Sequence, residues 1–431
     1  MERIVINGGH PLRGTVRVSG AKNSSLAVMV AACLAPDVSV LENVPHCQDV
    51  LTLSEILQGL GVRIDFAGGR MVIDARELRG HRPAYDLVRR MRASFYTAGL
   101  LLGRLGRAEV PLPGGCSIGS RPVDFHMRGF AALGAEVTTE HGYMKATLGR
   151  RTRLRATQFY VPRSSVGTTI NLMMAASLAR GTTRLQNAAR EPEVVDTAVF
   201  LNLMGARVRG AGTDTITIQG VPALHGAQYA IIPDRIEAGT YLLCGVATGG
   251  DVQVAGLIPE HLQALLTKLA EAGAEILVEP DGVRVRVTGE LSGVDVDTAP
   301  YPGFATDLHP PLVAALTRAR GVSTVRETIY ESRFGYVDEL RRLGADIRID
   351  GDTVHVTGVP TLTGAPVEAL DIRAGAAVVI GGLAAAGTTE VSGVENIDRG
   401  YEGMVAKLRG LGAQVFRVGG EVGRASCRER V

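Results

Sequence analysis

The 431-residue sequence is poor in the features that announce many classes of protein. Its formal net charge is only +2, which excludes the broad attraction that nucleic acids and anionic membranes need, so neither is expected as a partner. Any recognition of charge must then be local. The five cysteines (Cys33, Cys47, Cys116, Cys244 and Cys427) are odd in number and scattered, without a CxxC pair or a Cys/His cluster. That argues against a disulfide framework and against a zinc site. The N-terminal MERIVINGGHPLRG lacks the basic and apolar regions of a signal peptide. The most apolar early run, SSLAVMVAACLA, has 12 residues, where a membrane-spanning helix needs about 20. A cytoplasmic protein with reduced thiols is expected. Lysine is nearly missing too: Lys22, Lys145, Lys268 and Lys407 are the only four among 46 basic residues. Where arginine is the default, each lysine raises the question of why arginine would not do. A solvated surface accepts either, and that plain reading is kept for all but Lys22.

What is present is a repeat. Hydrophobic residues make up 45% of the chain and charged residues 21%, enough for two large globular domains. The pentapeptides LGVRI, LGAEV, MGARV, AGAEI, LGADI and LGAQV place glycines at 61, 134, 205, 273, 344 and 412, in steps of 73, 71, 68, 71 and 68 residues. Such a steady period marks six copies of one supersecondary unit. Each copy begins with a small-residue helix such as AVMVAACLA, LMMAASLA or VVIGGLAAA. A turn and a β-prone run follow, then a second amphipathic helix ending at the glycine, then an alternating hairpin such as VRVRVTG. Helices this rich in alanine and glycine need close packing on several sides, so they are placed inside with sheets around them. Six units group as two sets of three. The last unit lacks a full second hairpin strand, and RIVINGGHPLRGTVRVSG is an unassigned pair of β-runs at the chain start. The start is therefore expected to complete the C-terminal domain. The predicted domains are residues 1–21 plus 232–421 and residues 22–231, with a ligand cleft between them. The tail from 422 to 431, GRASCRERV preceded by valine, fits no unit and is expected to be disordered or foreign.

Three groups of residues carry candidate chemistry. In VSGAKNSSLA, Lys22 stands just before a helix whose positive end would welcome an anion. In LPGGCSIGSRPVDFH, glycines make a mobile, exposed setting for Cys116, which reads either as a spare loop thiol or as a thiol whose pKa Arg121 lowers. Asp124 and His126 follow, but spacing alone makes no triad of them. Arginines mark glycine-, serine- or acid-rich turns at Arg92, Arg163, Arg333, Arg373 and Arg399, and several could line one anion-binding cleft. Asp307 in TAPYPGFATDLH suits a general base or, more ordinarily, a helix N-cap.

With GAKN, GGCSIGSRPVD, SVGTT, NAAREPE, TDL and IDRGYE in view, the chain resembles the UDP-N-acetylglucosamine 1-carboxyvinyltransferase (enolpyruvyl transferase) family from residue 1 to about 421. The resemblance implies an α/β fold of two inside-out α/β barrel domains, each of three βαβαββ-like units, with the active site in the inter-domain cleft. It implies transfer of the enolpyruvyl group of phosphoenolpyruvate to the 3-hydroxyl of UDP-N-acetylglucosamine, with no metal, no cofactor and no obligate protein partner. By the same resemblance, Lys22, Asn23, Arg121 and Arg399 hold phosphoenolpyruvate. Arg92, Arg121, Pro122, Val123, Asp124, Phe125, Arg163, Ser164, Ser165, Val166, Asp307 and Ile329 fall at the nucleotide-sugar site. Cys116 matches the proton donor, Asp307 the group that takes the hydroxyl proton, and Lys22 counts as catalytic, while Arg333, Asp371 and Arg373 fall in the cleft. Arg163 stands where many members carry lysine, and Tyr96 where some carry tryptophan. The alternatives are the sister transferase acting on shikimate 3-phosphate, whose NAGT-type motif is absent here, and a non-catalytic UDP-sugar-binding regulator, against which the intact Lys22, Cys116, Asp307 and Arg399 speak.

Overall fold

The computed structural model describes residues 2–112 and 123–419. Cys116, Arg121, Pro122 and the tail after 421 lie outside the described residues.

The six repeat glycines share one conformation and one task. Gly61, Gly134, Gly205, Gly273, Gly344 and Gly412 all have φ between 86° and 99°, a left-handed region that a side chain would strain. Each follows the C-cap residue of a helix (Leu60, Leu133, Met204, Ala272, Leu343 and Leu411). Each turns the chain into an edge strand: Arg63–Ala67, Glu136–Glu140, Arg207–Arg209, Glu275–Glu279, Asp346–Asp350 and Gln414–Val418. The described strands form five four-stranded sheets and one three-stranded sheet, so the architecture is α/β.

Buried hydrophobic residues fall into two clusters. One runs from Ala21 to Ile231, the other joins Ile4–Val18 to Ile236–Val415. The small-residue helices lie within them: His309–Leu316 is buried at every residue and Arg235–Ala247 at all but its first. Strands such as Thr215–Gln219 alternate between buried and half-exposed residues, one face on the helices and one towards water. The chain start pairs far from itself. Arg3–Gly8 lies antiparallel between Gly387–Ser392 and Gln414–Val418, and Arg13–Arg17 runs parallel to Asp251–Ala255.

The chain passes between the two cores twice, and the two passages are tied together. Ala21 N–H donates to Ile232 O at 2.7 Å and Asp234 N–H to Ser19 O at 2.9 Å. Gly20 lies between them, where a Cβ would stand 1.7 Å from Asn43 O; only glycine fits. No helix among the described residues is long and apolar enough to cross a membrane.

Candidate active site

Lys22 is the first residue of the helix Lys22–Ala32, one position further in than the sequence suggests. A cation at a helix N-terminus is opposed by the helix dipole, and two carboxylates offset it. Asp234 Oδ2 accepts the Lys22 N–H at 3.0 Å, while its Oδ1 caps the helix Arg235–Ala247 through Ile236 N–H at 2.8 Å and Glu237 N–H at 3.0 Å. Asp49, in the first turn of the helix Gln48–Gly59, takes the Lys22 ammonium on Oδ2 at 3.2 Å and Arg399 Nε on Oδ1 at 3.0 Å. Lys22 and Asp49 are buried, and Arg399 is one-third exposed. Two cations expected to hold an anion therefore share an internal one, with one cation from each core.

The second cluster centres on Asp307. Its Oδ1 accepts Arg333 Nη2 at 2.8 Å, and its Oδ2 accepts Arg373 Nε at 3.1 Å and Nη2 at 2.9 Å. Both guanidinium groups are buried, while a quarter of the carboxylate side chain is exposed. Burial pushes the Asp307 carboxyl up, but the charges of Arg373, Arg333 and Lys22 outweigh it and hold the group well below the usual carboxylate range. The N-cap reading of Asp307 fails: the short turn Thr306–Leu308 leads into His309–Leu316 without a side-chain cap, because both oxygens are taken by arginines. Asp371 is the residue that caps, accepting Arg373 N–H at 2.8 Å and Ala374 N–H at 2.9 Å. That bond fixes the backbone from which Arg373 reaches Asp307.

A third contact crosses between the cores. Arg163 Nη2 donates to Ile329 O at 2.5 Å, and both residues line a cavity of about 440 Å³ together with Arg326, Glu327, Tyr330 and Asp352. Ser165 caps the helix Val166–Ser177, its Oγ accepting Thr168 N–H at 3.3 Å, with half-buried Ser164 before it. Val123, Asp124 and Phe125 open the helix Asp124–Ala132, and Arg92 opens the turn Arg92–Tyr96. Asn23 is half-buried beside Lys22. His126 belongs to the core: burial, aided by the charge of Arg92, pushes its imidazole down to about 3, and its Nδ1 lies 3.0 Å from Asn171 Nδ2.

Known proteins resemble this chain along nearly its whole length. The family model described as EPSP synthase (3-phosphoshikimate 1-carboxyvinyltransferase) matches residues 6–408. The chain is 55% identical over 418 residues to UDP-N-acetylglucosamine 1-carboxyvinyltransferase 2 of Symbiobacterium thermophilum, covering 96% of this chain and 98% of that one. It is 51% identical to UDP-N-acetylglucosamine 1-carboxyvinyltransferase 3 of Caldanaerobacter subterraneus, covering 97% and 100%. The chain belongs to the UDP-N-acetylglucosamine 1-carboxyvinyltransferase family. Among solved structures, the enolpyruvyl transferase NikO from Streptomyces tendae superposes with a TM-score of 0.85 at 27% identity, covering 96% of this chain and 98% of that one. EPSP synthase from Acinetobacter baumannii gives 0.74 at 18%, covering 97% and 100%, a likeness of fold.

Lys22 and Arg399 were legible in GAKN and IDRGYE, but Asp49 and Asp234 were not. Each is an isolated acid in its own stretch and acquires meaning only from a cation that folding brings to it. Lys407 was misread as bland. It is partly buried and donates to Glu237 Oε1 at 2.5 Å and Ser19 Oγ at 2.7 Å, beside the passages between the cores. Lys145 and Lys268 are the surface pairs expected, with Glu140 and Glu271. Buried Cys33, Cys47 and Cys244 have thiols pushed up to about 12, chiefly by burial, so none is a ready nucleophile.

Proposed function

We infer that the protein is a carboxyvinyl transferase that moves the enolpyruvyl group of phosphoenolpyruvate to the 3-hydroxyl of UDP-N-acetylglucosamine and releases phosphate. This is the first committed step of peptidoglycan biosynthesis. The observation that carries the reading is the convergence of Lys22 and Arg399, from opposite cores, on one carboxylate, because a substrate anion can take that carboxylate's place.

The reaction needs an acid, a base and fixed cations. Cys116 delivers a proton to the methylene carbon of phosphoenolpyruvate, leaving an oxocarbenium-like centre at C2. The sugar 3-hydroxyl attacks C2 and gives its proton to Asp307. Loss of a proton from the new methyl group and of phosphate from C2 restores the enol ether. Lys22, Asn23, Arg121 and Arg399 hold the phosphate and carboxylate. Asp307, held ionised by two arginines, is a weak base in the arrangement seen here; drawing Arg333 or Arg373 towards substrate anions raises its proton affinity when the hydroxyl is in place. Arg92, the run Arg121 to Phe125, Arg163 to Val166 and Ile329 receive the nucleotide sugar. The site lies between a domain of residues 22–231 and one of residues 1–21 plus 232–421, in a cytoplasmic protein.

Phosphate release on mixing the protein with both substrates tests the reading. Release with shikimate 3-phosphate in place of the nucleotide sugar would favour the sister activity, and binding without release a regulatory role.

A further inference from the structure

Glu327, at the cavity lined by Arg163 and Ile329, is a buried carboxylate that also reaches the turn carrying Asp307. The Glu327 side chain is fully buried. Its Oε1 accepts Ile329 N–H at 2.8 Å, Tyr330 N–H at 3.0 Å and the Thr298 hydroxyl at 3.1 Å. Its Oε2 accepts the Thr306 hydroxyl at 2.8 Å. Thr306 Oγ1 in turn accepts Arg333 Nη1 at 2.8 Å, while the same guanidinium holds Asp307. One oxygen thus fixes the peptide whose carbonyl takes Arg163, and the other fixes the turn that carries Asp307. Behind Oε2 stands His309, fully buried, with Nδ1 at 3.1 Å from Oε2 and Nε2 at 3.0 Å from the Tyr336 hydroxyl. Burial pushes this imidazole below its ordinary value.

We propose that Glu327 is a positioning residue for the transfer, setting Asp307 and Arg333 in register with the nucleotide-sugar wall at Ile329 and Tyr330. The proposal rests on Asp307 acting on the sugar hydroxyl. A buried carboxylate suits the task because it accepts several hydrogen bonds at once and donates none. An amide in its place must turn its NH2 towards a neighbour with a free lone pair. The Ile329 and Tyr330 N–H groups cannot turn away and keep the amide oxygen, so the NH2 faces Thr306, and Glu327→Gln loses the hydrogen bond that Thr306 donates and keeps the Ile329 arm.

The test is steady-state phosphate release by the full chain, with melting curves to verify folding. Glu327→Gln and Thr306→Val are each expected to lower kcat at least about tenfold while the KM for UDP-N-acetylglucosamine stays within about twofold. Thr306→Ser, which keeps the hydroxyl, recovers most of the kcat. Glu327→Ala cuts both arms and also raises that KM by about fivefold or more. Adding Glu327→Gln to Asp307→Asn costs little beyond Asp307→Asn alone, because the two act through one arm. A folded Glu327→Gln with wild-type kcat, equal losses in the Thr306→Val and Thr306→Ser proteins, or full additivity with Asp307→Asn would each overturn the proposal. Should Glu327→Gln not fold, the two Thr306 variants decide by themselves. Wild-type activity in Asp307→Asn would instead remove the role of Asp307, a different failure from an inert Glu327 beside an essential Asp307.

Discussion

Lys22 and Arg399 bind opposite oxygens of Asp49, at 3.2 and 3.0 Å. Asp49 therefore acts as an internal anion where a substrate anion is proposed to bind. Asp49→Asn keeps the shape and removes the charge. It is expected to lower stability by about 3 kcal/mol, because Lys22 loses a buried counter-charge. It is also expected to tighten phosphoenolpyruvate binding, because the cations no longer have a competitor. Melting curves and calorimetric titration check both, and weaker binding would show that Asp49 organises the cations instead of competing for them.

Asp307→Asn is expected to lower kcat by about 10² or more, the usual scale for a lost general base. In the wild type, the depressed carboxyl contributes stability that is present above the unfolded carboxylate value and lost as pH falls towards the folded one. Unfolding midpoints below about pH 4 should thus fall faster for wild type than for the variant.

The passages between the cores carry a second pH dependence of opposite sign. Burial pushes the Glu237 carboxyl up to about 7 against the pull of the Lys407 ammonium. A folded value above the unfolded one favours the fold at low pH, and that contribution is lost as pH rises through about 7. Relative to Glu237→Gln, the wild type should lose stability between about pH 4.5 and 7.5. Parallel melting curves across that range check it, and a pH-independent difference would refute it.

Arg163 crosses to Ile329 O at the proposed nucleotide wall. Arg163→Ala is expected to raise the KM for UDP-N-acetylglucosamine about tenfold with kcat little changed, read from the same phosphate-release assay.

The three described cysteines are buried, which leaves Cys116 and Cys427 as candidate reactive thiols, and the family resemblance selects Cys116. Fosfomycin, an epoxide, is opened by a thiolate and adds its whole mass. Intact-mass analysis should find one adduct on the wild type and none on Cys116→Ala; the same adduct on both would exclude Cys116.

The repeat was legible because its cause is local. A helix ends at a residue that must take positive φ, so glycine returns at each LGx signature and the period stands in the sequence. The buried helices were legible from their alanine and glycine. GAKN and IDRGYE identified Lys22 and Arg399 as candidates, yet nothing near either residue pointed to Asp49. Lys407 looked like a surface lysine because its partners, Ser19 and Glu237, lie far away in the chain.

The α/β units, their number, and the residue types able to bind an anion or move a proton were readable along the chain, since these follow from periodicity, backbone conformation and side-chain chemistry. Tertiary structure alone decided which charges meet. Asp49 joins cations from two cores, Asp307 is clamped by Arg333 and Arg373, and Glu327 joins the Ile329 backbone to the Thr306 hydroxyl. Charge pairing depends on distance and burial in space, and both are set by contacts between segments remote in the chain.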